Sequence, residues 1–587
     1  MGRLRAALAT IDQALGSLDG LEAAKARTNR ALILHRSGRH REAMDEYAAA
    51  LPVIRRAKDG RSERLLRGNR AQLSAEQGDI ASAVADMEWS RRYALEQGRT
   101  IDAADDLWNL AALHALAGDL PRALELFDRA DAEWGDVDRP QRFTARAEVL
   151  LEAGLAADAA ELASDGIRWA QAHGWMYAEA EARLWLALAS LTLPSPDLVR
   201  AEQEARAAVT AFAHQGRPDW QVLAQHAELV VRIRRSGRPA DLDRAVEVAS
   251  LLRDRGRDAH AADLRVAAGR RALAQGDIAR ARTMLGPLAN QSTSRQIEVR
   301  SRAWYARALL QTIGSEAGAS ASLVRAWRLA EEQTALRGAT ELRAASASHA
   351  SDIVATGCGL AVRERNVLRA FAWAERGRSS SLRRPVVRAP QDPELASALA
   401  RLRWSAMLDE NALQDGDVDL AFRARRRRDE AEVRRLSLRA RGGGRAERVA
   451  TVTDIRRCAE HRALVELLQH DARYWAVRVD ASGAELLPLA PVGEIGQHVD
   501  TLVFALRRLL ATPPGPGRDR MRGTLDSARE QLRTLVIEPL GTAEGTALVV
   551  SPVGHLCQLP WGALDQCCGG ITVAPSATTW FRAQSEP

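Results

Sequence analysis

Gln77-Gly78-Asp79-Ile80-Ala81 and Gln275-Gly276-Asp277-Ile278-Ala279 are the same five residues met twice. Gly38, Gly78 and Gly118 recur every 40 residues. Ala43, Ala83 and Ala123 follow five positions later, Tyr47, Met87 and Phe127 nine later, and Ala50, Ser90 and Ala130 twelve later. Gly276, Ala281 and Leu285 make a further copy, and weaker ones begin near Gly154, Gly237 and Gly318. A fixed period of this size marks a helical repeat. Glycine ends one helix because it accepts a left-handed backbone. Asp79, Asp119 and Asp277 then cap the next helix. The small residue lets paired helices approach, and the large one fills the gap to the next pair.

This Gly–Ala–aromatic–Ala pattern resembles the tetratricopeptide repeat (TPR), whose usual period is about 34 residues. A period of 40 implies longer helices or loops. The resemblance implies an α-solenoid over residues 1–345 that holds a protein or peptide on its concave face. First-helix positions of that face fall here on Thr28, His35 and Arg36, on Gln72 and Glu76, and on Asp105 and Trp108. Arg36, Gln72, Glu76, Asp105 and Trp108 are the candidate partner-binding residues. Trp108 either anchors a partner as an exposed aromatic or packs between repeats; packing is the simpler reading.

The chain has 587 residues, 46% hydrophobic and 27% charged, with a formal net charge of +7. That length exceeds one ordinary domain, and the composition is that of a folded chain. Of the 83 basic residues, only Lys25 and Lys58 are lysine. So lopsided a ratio fits codon usage in a GC-rich genome, and neither lysine sits in a phosphate-binding Gly-Lys-Ser/Thr loop. Cys358, Cys458, Cys557, Cys567 and Cys568 form no Cys-x-x-Cys pair and are too sparse for a disulfide framework. The first residues lack a secretory apolar stretch, and no run is apolar enough to span a membrane. The expected compartment is the cytoplasm.

From about residue 346 the repeat fades, and residues 346–449 read as a helical, Arg-rich linker. One helix is expected to end near Gly377, with Pro385, Pro390 and Pro393 in the loop that follows. Residues 423–448 hold eleven arginines against four acids, Arg425 to Arg428 being consecutive. No aromatic interleaves them after Phe422, so base stacking lacks its equipment. A solvated helix with local pairing through Asp429, Glu430 and Glu432 is favoured over a nucleic-acid surface.

After Ala450 the pattern changes to strands near 463–468, 474–479 and 485–489, helices over 494–511 and 519–538, and buried strands at 547–551 and 571–574. Such alternation reads as an α/β domain over 450–587. Leu548-Val549-Val550-Ser551-Pro552, Leu559-Pro560-Trp561 and Ala574-Pro575-Ser576 resemble the first half of a CHAT domain, the caspase-like domain found attached to TPR arrays. Glu375-Arg376-Gly377-Arg378 resembles the linker helix of such proteins. The resemblance implies cysteine-peptidase chemistry, with a histidine polarising a thiol. In the family both catalytic motifs lie beyond the Ala-Pro-Ser segment. No position here matches either, so no catalytic residue is assigned. His555, Cys557, Cys567 and Cys568 lack familiar zinc spacing and are read as structural.

The fold expected is therefore mainly α: a TPR-like α-solenoid, a long helical linker and a partial α/β caspase-like (CHAT) domain. The function expected is protein binding, without cofactor, metal, specific nucleic acid or membrane. The alternative is a truncated form of a caspase-like cysteine peptidase regulated by its TPR array. The strand near Ile571 to Ala574 is expected to lie at a sheet edge.

Overall fold

The computed structural model describes residues 2–37, 39–117, 119–135, 139–152, 155–193, 196–314, 318–335, 340–382, 394–395, 397–402, 428–430, 432–433, 436, 449–511, 515–543, 545–567 and 569–585. The described residues fall into two compact units, one within 1–227 and 390–442, the other within 228–335, 340–389 and 443–587.

The repeat register becomes consecutive helical hairpins: α1 Gly2–Leu15, α2 Gly20–Arg36, α3 His40–Arg56, α4 Gly60–Glu76, α5 Ile80–Glu96, α6 Thr100–Leu116, α7 Leu120–Trp134, α8 Gln141–Glu152, α9 Ala156–His173, α10 Met176–Thr192, α11 Leu198–His214, α12 Pro218–Arg235, α13 Pro239–Asp254, α14 Asp258–Ala274, α15 Ile278–Ala289, α16 Ile297–Ile313, α17 Ala319–Ala335, α18 Thr340–Arg363 and α19 Val367–Leu382. Gly78 and Gly276 take φ of +84° and +76° at the corners where the register places them; Gly38 and Gly118 lie outside the described residues. Asp79, Asp119 and Asp277 each accept the backbone N–H three residues on, from Ser82, Arg122 and Arg280. Ala43, Ala83, Ala123 and Ala281 are fully buried, as are Tyr47, Phe127 and Leu285. Close alanine contacts leave no room for bulk. Ala83→Trp is expected to overpack α5 and cost about 1–3 kcal/mol in denaturant unfolding; unchanged stability would mean that the register is misplaced.

Helical hairpins run on past residue 346, through α18 and α19. Gly377 does not end a helix. It lies inside α19, where a Cβ would come 2.8 Å from Val354 Cγ1 of α18, so close helix approach is what requires glycine there. The linker stretch containing Arg425, Arg426 and Arg427 lies outside the described residues. Asp429 stands 3.9 Å from Arg401.

In the second unit, Val452–Cys458 forms α20, capped reciprocally by Thr451 and Asp454. A five-stranded sheet follows, built from β1 Arg462–His470, β2 Arg473–Val479, β3 Ala484–Pro491, β4 Ala547–Ser551 and β5 Ile571–Val573 in the order β3-β2-β1-β4-β5. The first three strands are the antiparallel meander expected, whereas β4 and β5 run parallel to β1. Asp471 and Ala472, both at positive φ, make the two-residue turn between β1 and β2. Alternation splits β1 between two faces. Ala463, Val465 and Leu467 pack with α21 (Val492–Ala511) and α22 (Pro516–Leu532) through Ile495, Val499, Leu502 and Leu532. Leu464, Glu466 and Leu468 are buried on the other face, where α19 lies. The last helix, α23, spans Ala577–Ser585. β5 is the edge strand as expected, but it is not the buried strand read from the sequence: Thr572 and Val573 are exposed, because it pairs on one side only, with β4.

Candidate functional site

Of the seven concave-face positions, Thr28, His35 and Trp108 are buried, Asp105 is half-buried and Gln72 is exposed. Trp108 is 4% exposed, its ring 4.2 Å from that of Phe127 and 4.9 Å from that of Trp134. It packs between helices and is not an exposed anchor. Asp105 accepts from Trp134 Nε1 at 3.0 Å and from Arg139 Nε at 3.1 Å, so its carboxylate ties α6 to α7 and to Arg139. Thr28 and His35 are buried, and the Thr28 hydroxyl donates to Ala24 O. Gln72 is exposed; the side chains of Arg36 and Glu76 lie outside the described residues. Arginine–carboxylate pairs stitch neighbouring helices: Arg67, held by Glu63 on its own helix, reaches Asp86 on α5 and stacks over Trp89, and Arg64 reaches Asp106 on α6. Burial pushes the Asp106 carboxyl up, against the pull of Ser90 and Arg64.

A surface that the register does not mark lies at the turn between α9 and α10. Trp175, Met176 and Tyr177 are 47%, 69% and 58% exposed. Single exposed apolar residues are ordinary; three large ones in a row are not. Their base is well fixed. Trp169 stacks on His173 at 4.6 Å and lies 5.7 Å from Trp175. Arg217 sits over the rings of Trp220, Phe212 and Tyr177 and pairs with Glu181, while Gln215 Nε2 donates to Met176 O at 2.9 Å. The sequence signal was available: Gly174 is followed by three large apolar residues, where Gly78 and Gly276 are followed by Asp and Gly98, Gly216 and Gly256 by Arg.

The C-terminal region holds a buried polar cluster. Glu375 on α19 is fully buried. Its carboxylate accepts from the backbone N–H groups of Ala577 at 2.7 Å and Thr578 at 2.9 Å, and from the Thr578 hydroxyl. It thus caps the first turn of α23, where helical N–H groups lack partners. The Thr578 hydroxyl in turn accepts from Ala450 N. One turn along α19, Arg378 lies 2.9 Å from Glu466 Oε1 and donates to Leu467 O. Burial pushes the fully buried Glu466 carboxyl well above the usual range, Arg378 pulls against that, and the charge of Glu375 adds to it. The buried Cys358 thiol on α18 is pushed up to about 12, chiefly by burial. A thiol so held is a packing group, not a nucleophile.

Around His555, backbone N–H donates to Tyr474 Oη at 3.1 Å, and burial pushes the Tyr474 phenol up. A Cβ placed on Gly496 would lie 3.3 Å from the His555 ring, so the ring rests on the first turns of α21. Cys557 is exposed and free. The side chain of Cys567 and all of Cys568 lie outside the described residues. Among the described residues, no group of three or more His, Cys, Asp or Glu is placed to hold a metal, and no helix is long and apolar enough to cross a membrane.

No family model matches the chain, and no curated protein matches it. Among solved structures it is similar to a tetratricopeptide repeat protein from Parabacteroides merdae, at 15% identity and a TM-score of 0.30, over 46% of this chain and 92% of that one.

Proposed function

We propose that this chain is a scaffold that binds a protein partner through its TPR-like helical array, joined to an α/β module that resembles the first half of a CHAT domain. The observation that carries the binding reading is the Trp175-Met176-Tyr177 turn, three large apolar side chains held in water on a fixed aromatic base. Large aromatic side chains of this kind dominate the energetics of protein interfaces. Gln72, exposed on α4, remains a candidate contact on the first-helix face.

The test is affinity capture with the full chain beside a Trp175→Ala, Tyr177→Ala double variant, with partner affinity then measured in solution. Loss of two such anchors is expected to cost about 2–4 kcal/mol of binding, with a smaller loss of stability from the Trp169 and Arg217 contacts that the two rings make, so unfolding is measured beside binding. A captured partner that binds parent and variant alike would overturn this surface. For the α/β module, no thiol-dependent peptide cleavage is expected from the chain, since the His555 ring lies on α21 and the Cys358 thiol is buried. Specific turnover abolished by Cys557→Ala would show the contrary.

A further inference from the structure

α21 and α22 pack on each other as a helical hairpin. Each carries an apolar stripe at helical spacing. Val499, Leu502 and Leu506 of α21, and Leu525, Ala528 and Leu532 of α22, meet the core against the sheet. Both stripes run one turn too far. Leu510 follows Leu506 by four residues and is 91% exposed. Met521 precedes Leu525 by four and is half-buried. An exposed leucine alone is ordinary; the charges around this one are not. Residues 504–522 hold five arginines against one acid, a net of +4. Arg507, Arg508, Arg520 and Arg522 are exposed. Among the described residues, none of these four forms an ion pair, and Arg508 lies over the exposed Phe504 ring at 5.8 Å. Farther from the hairpin turn the charges are balanced: Arg529 stands 3.4 Å from Asp526, and Arg533 2.6 Å from Glu530. Unpaired arginines and the overshooting apolar stripes therefore coincide at one end of the hairpin.

We infer that the closed end of the α21–α22 hairpin docks on an anionic phospholipid surface, with Leu510 entering the headgroup layer and Arg507, Arg508, Arg520 and Arg522 meeting lipid phosphates. Charge complementarity selects the partner: a cluster of this size beside apolar side chains is what an anionic bilayer attracts. Guanidinium forks match phosphate oxygens two at a time. The arginines come from both helices, on either side of Leu510, and a continuous anionic surface can reach both sets together. Leu510 projects from the hairpin and lines no groove of its own, so the partner must be the one that yields to it, as a lipid layer does. The expectation of no membrane partner rested on the want of a spanning run. Among the described residues no helix is long and apolar enough to cross a membrane, and contact with its surface requires none. The hairpin belongs to the second unit and the aromatic turn to the first, so this inference does not rest on the scaffold reading.

The experiment is co-sedimentation of the full chain with vesicles of phosphatidylcholine alone and of equal parts phosphatidylcholine and phosphatidylserine. Binding to the mixed vesicles only, weakening as salt is raised, is expected. A variant with Arg507→Gln, Arg520→Gln and Arg522→Gln should bind about a hundredfold more weakly. Leu510→Asp should lose about tenfold or more. These side chains are exposed and hold no partner, so both variants should unfold as the parent does. A control with Arg92→Gln, Arg200→Gln and Arg282→Gln, exposed arginines elsewhere in the chain, removes the same charge and should bind as the parent. Loss of binding in that control would trace the attraction to net charge and overturn the site. So would equal binding to both kinds of vesicle, no binding to either, or unchanged binding in either hairpin variant. Retention on immobilised polyglutamate, lost in the hairpin triple variant, without any vesicle binding would assign the surface to an acidic protein instead.

Discussion

Replacing Glu375 by alanine is expected to destabilise the second unit by about 3–5 kcal/mol, the largest single effect foreseen for this chain. The carboxylate takes two backbone N–H bonds and a hydroxyl bond from the first turn of α23. All three donors belong to residues that are buried, with Ala577 at 0% and Thr578 at 4% exposure. Water cannot replace the lost acceptor, so each stranded donor costs roughly 1–3 kcal/mol. The variant also leaves a cavity between α19 and α23. Glu375→Gln keeps one acceptor oxygen and should recover part of the loss. Hydrogen exchange at Ala577 and Thr578 supplies the local readout: protection there should fall in Glu375→Ala before the repeat helices respond. Unchanged protection would show that α23 is held by its apolar contacts alone.

Glu466 has the opposite sign. Its folded carboxyl is raised well above the ordinary value of 4.5, first by burial. Between that ordinary value and the raised one, the folded chain holds a proton that the unfolded chain has released. Stability therefore falls as pH rises through this window, by up to about 1.4 kcal/mol per pH unit. Glu466→Gln keeps the shape, removes the ionisation and should flatten that slope. The variant is expected to match the parent near pH 4.5 and to exceed it increasingly as pH rises through the window. Denaturant unfolding across this range measures it. A slope identical in both proteins would mean that Glu466 is ionised in the fold, with Arg378 outweighing burial. Arg378→Met removes the opposing cation, so it should raise the Glu466 carboxyl further and extend the falling limb to higher pH.

Much of the repeat region was legible because its determinants are local. A left-handed corner at Gly78, a cap at Asp79 and a tight approach at Ala83 concern residues within one hairpin, and each selects a residue type directly. The meander from β1 to β3 was legible for the same reason, with turn residues between alternating strands. Gly377 misled because glycine has two uses. It ends helices, but it also lets helices touch, and only the position of Val354 on α18 distinguishes them. Trp108 was ambiguous for a similar reason: an aromatic on a first helix reads the same whether Phe127 and Trp134 cover it or solvent does.

The polar cluster was hidden in a different way. Glu466 stands in the apolar run Ala463 to Leu468, so a buried acid in a strand could be seen in the sequence. Its relation to Arg378 could not, nor could the bonds from Glu375 to residues about two hundred positions later. Periodicity and turn chemistry act over a few residues and so are written in the order of the chain. Charge compensation acts between whichever groups folding brings together. The sequence by itself determined that helical hairpins precede a mixed sheet; the tertiary structure alone decided which charges are balanced, which are not, and which aromatic side chains are left facing water.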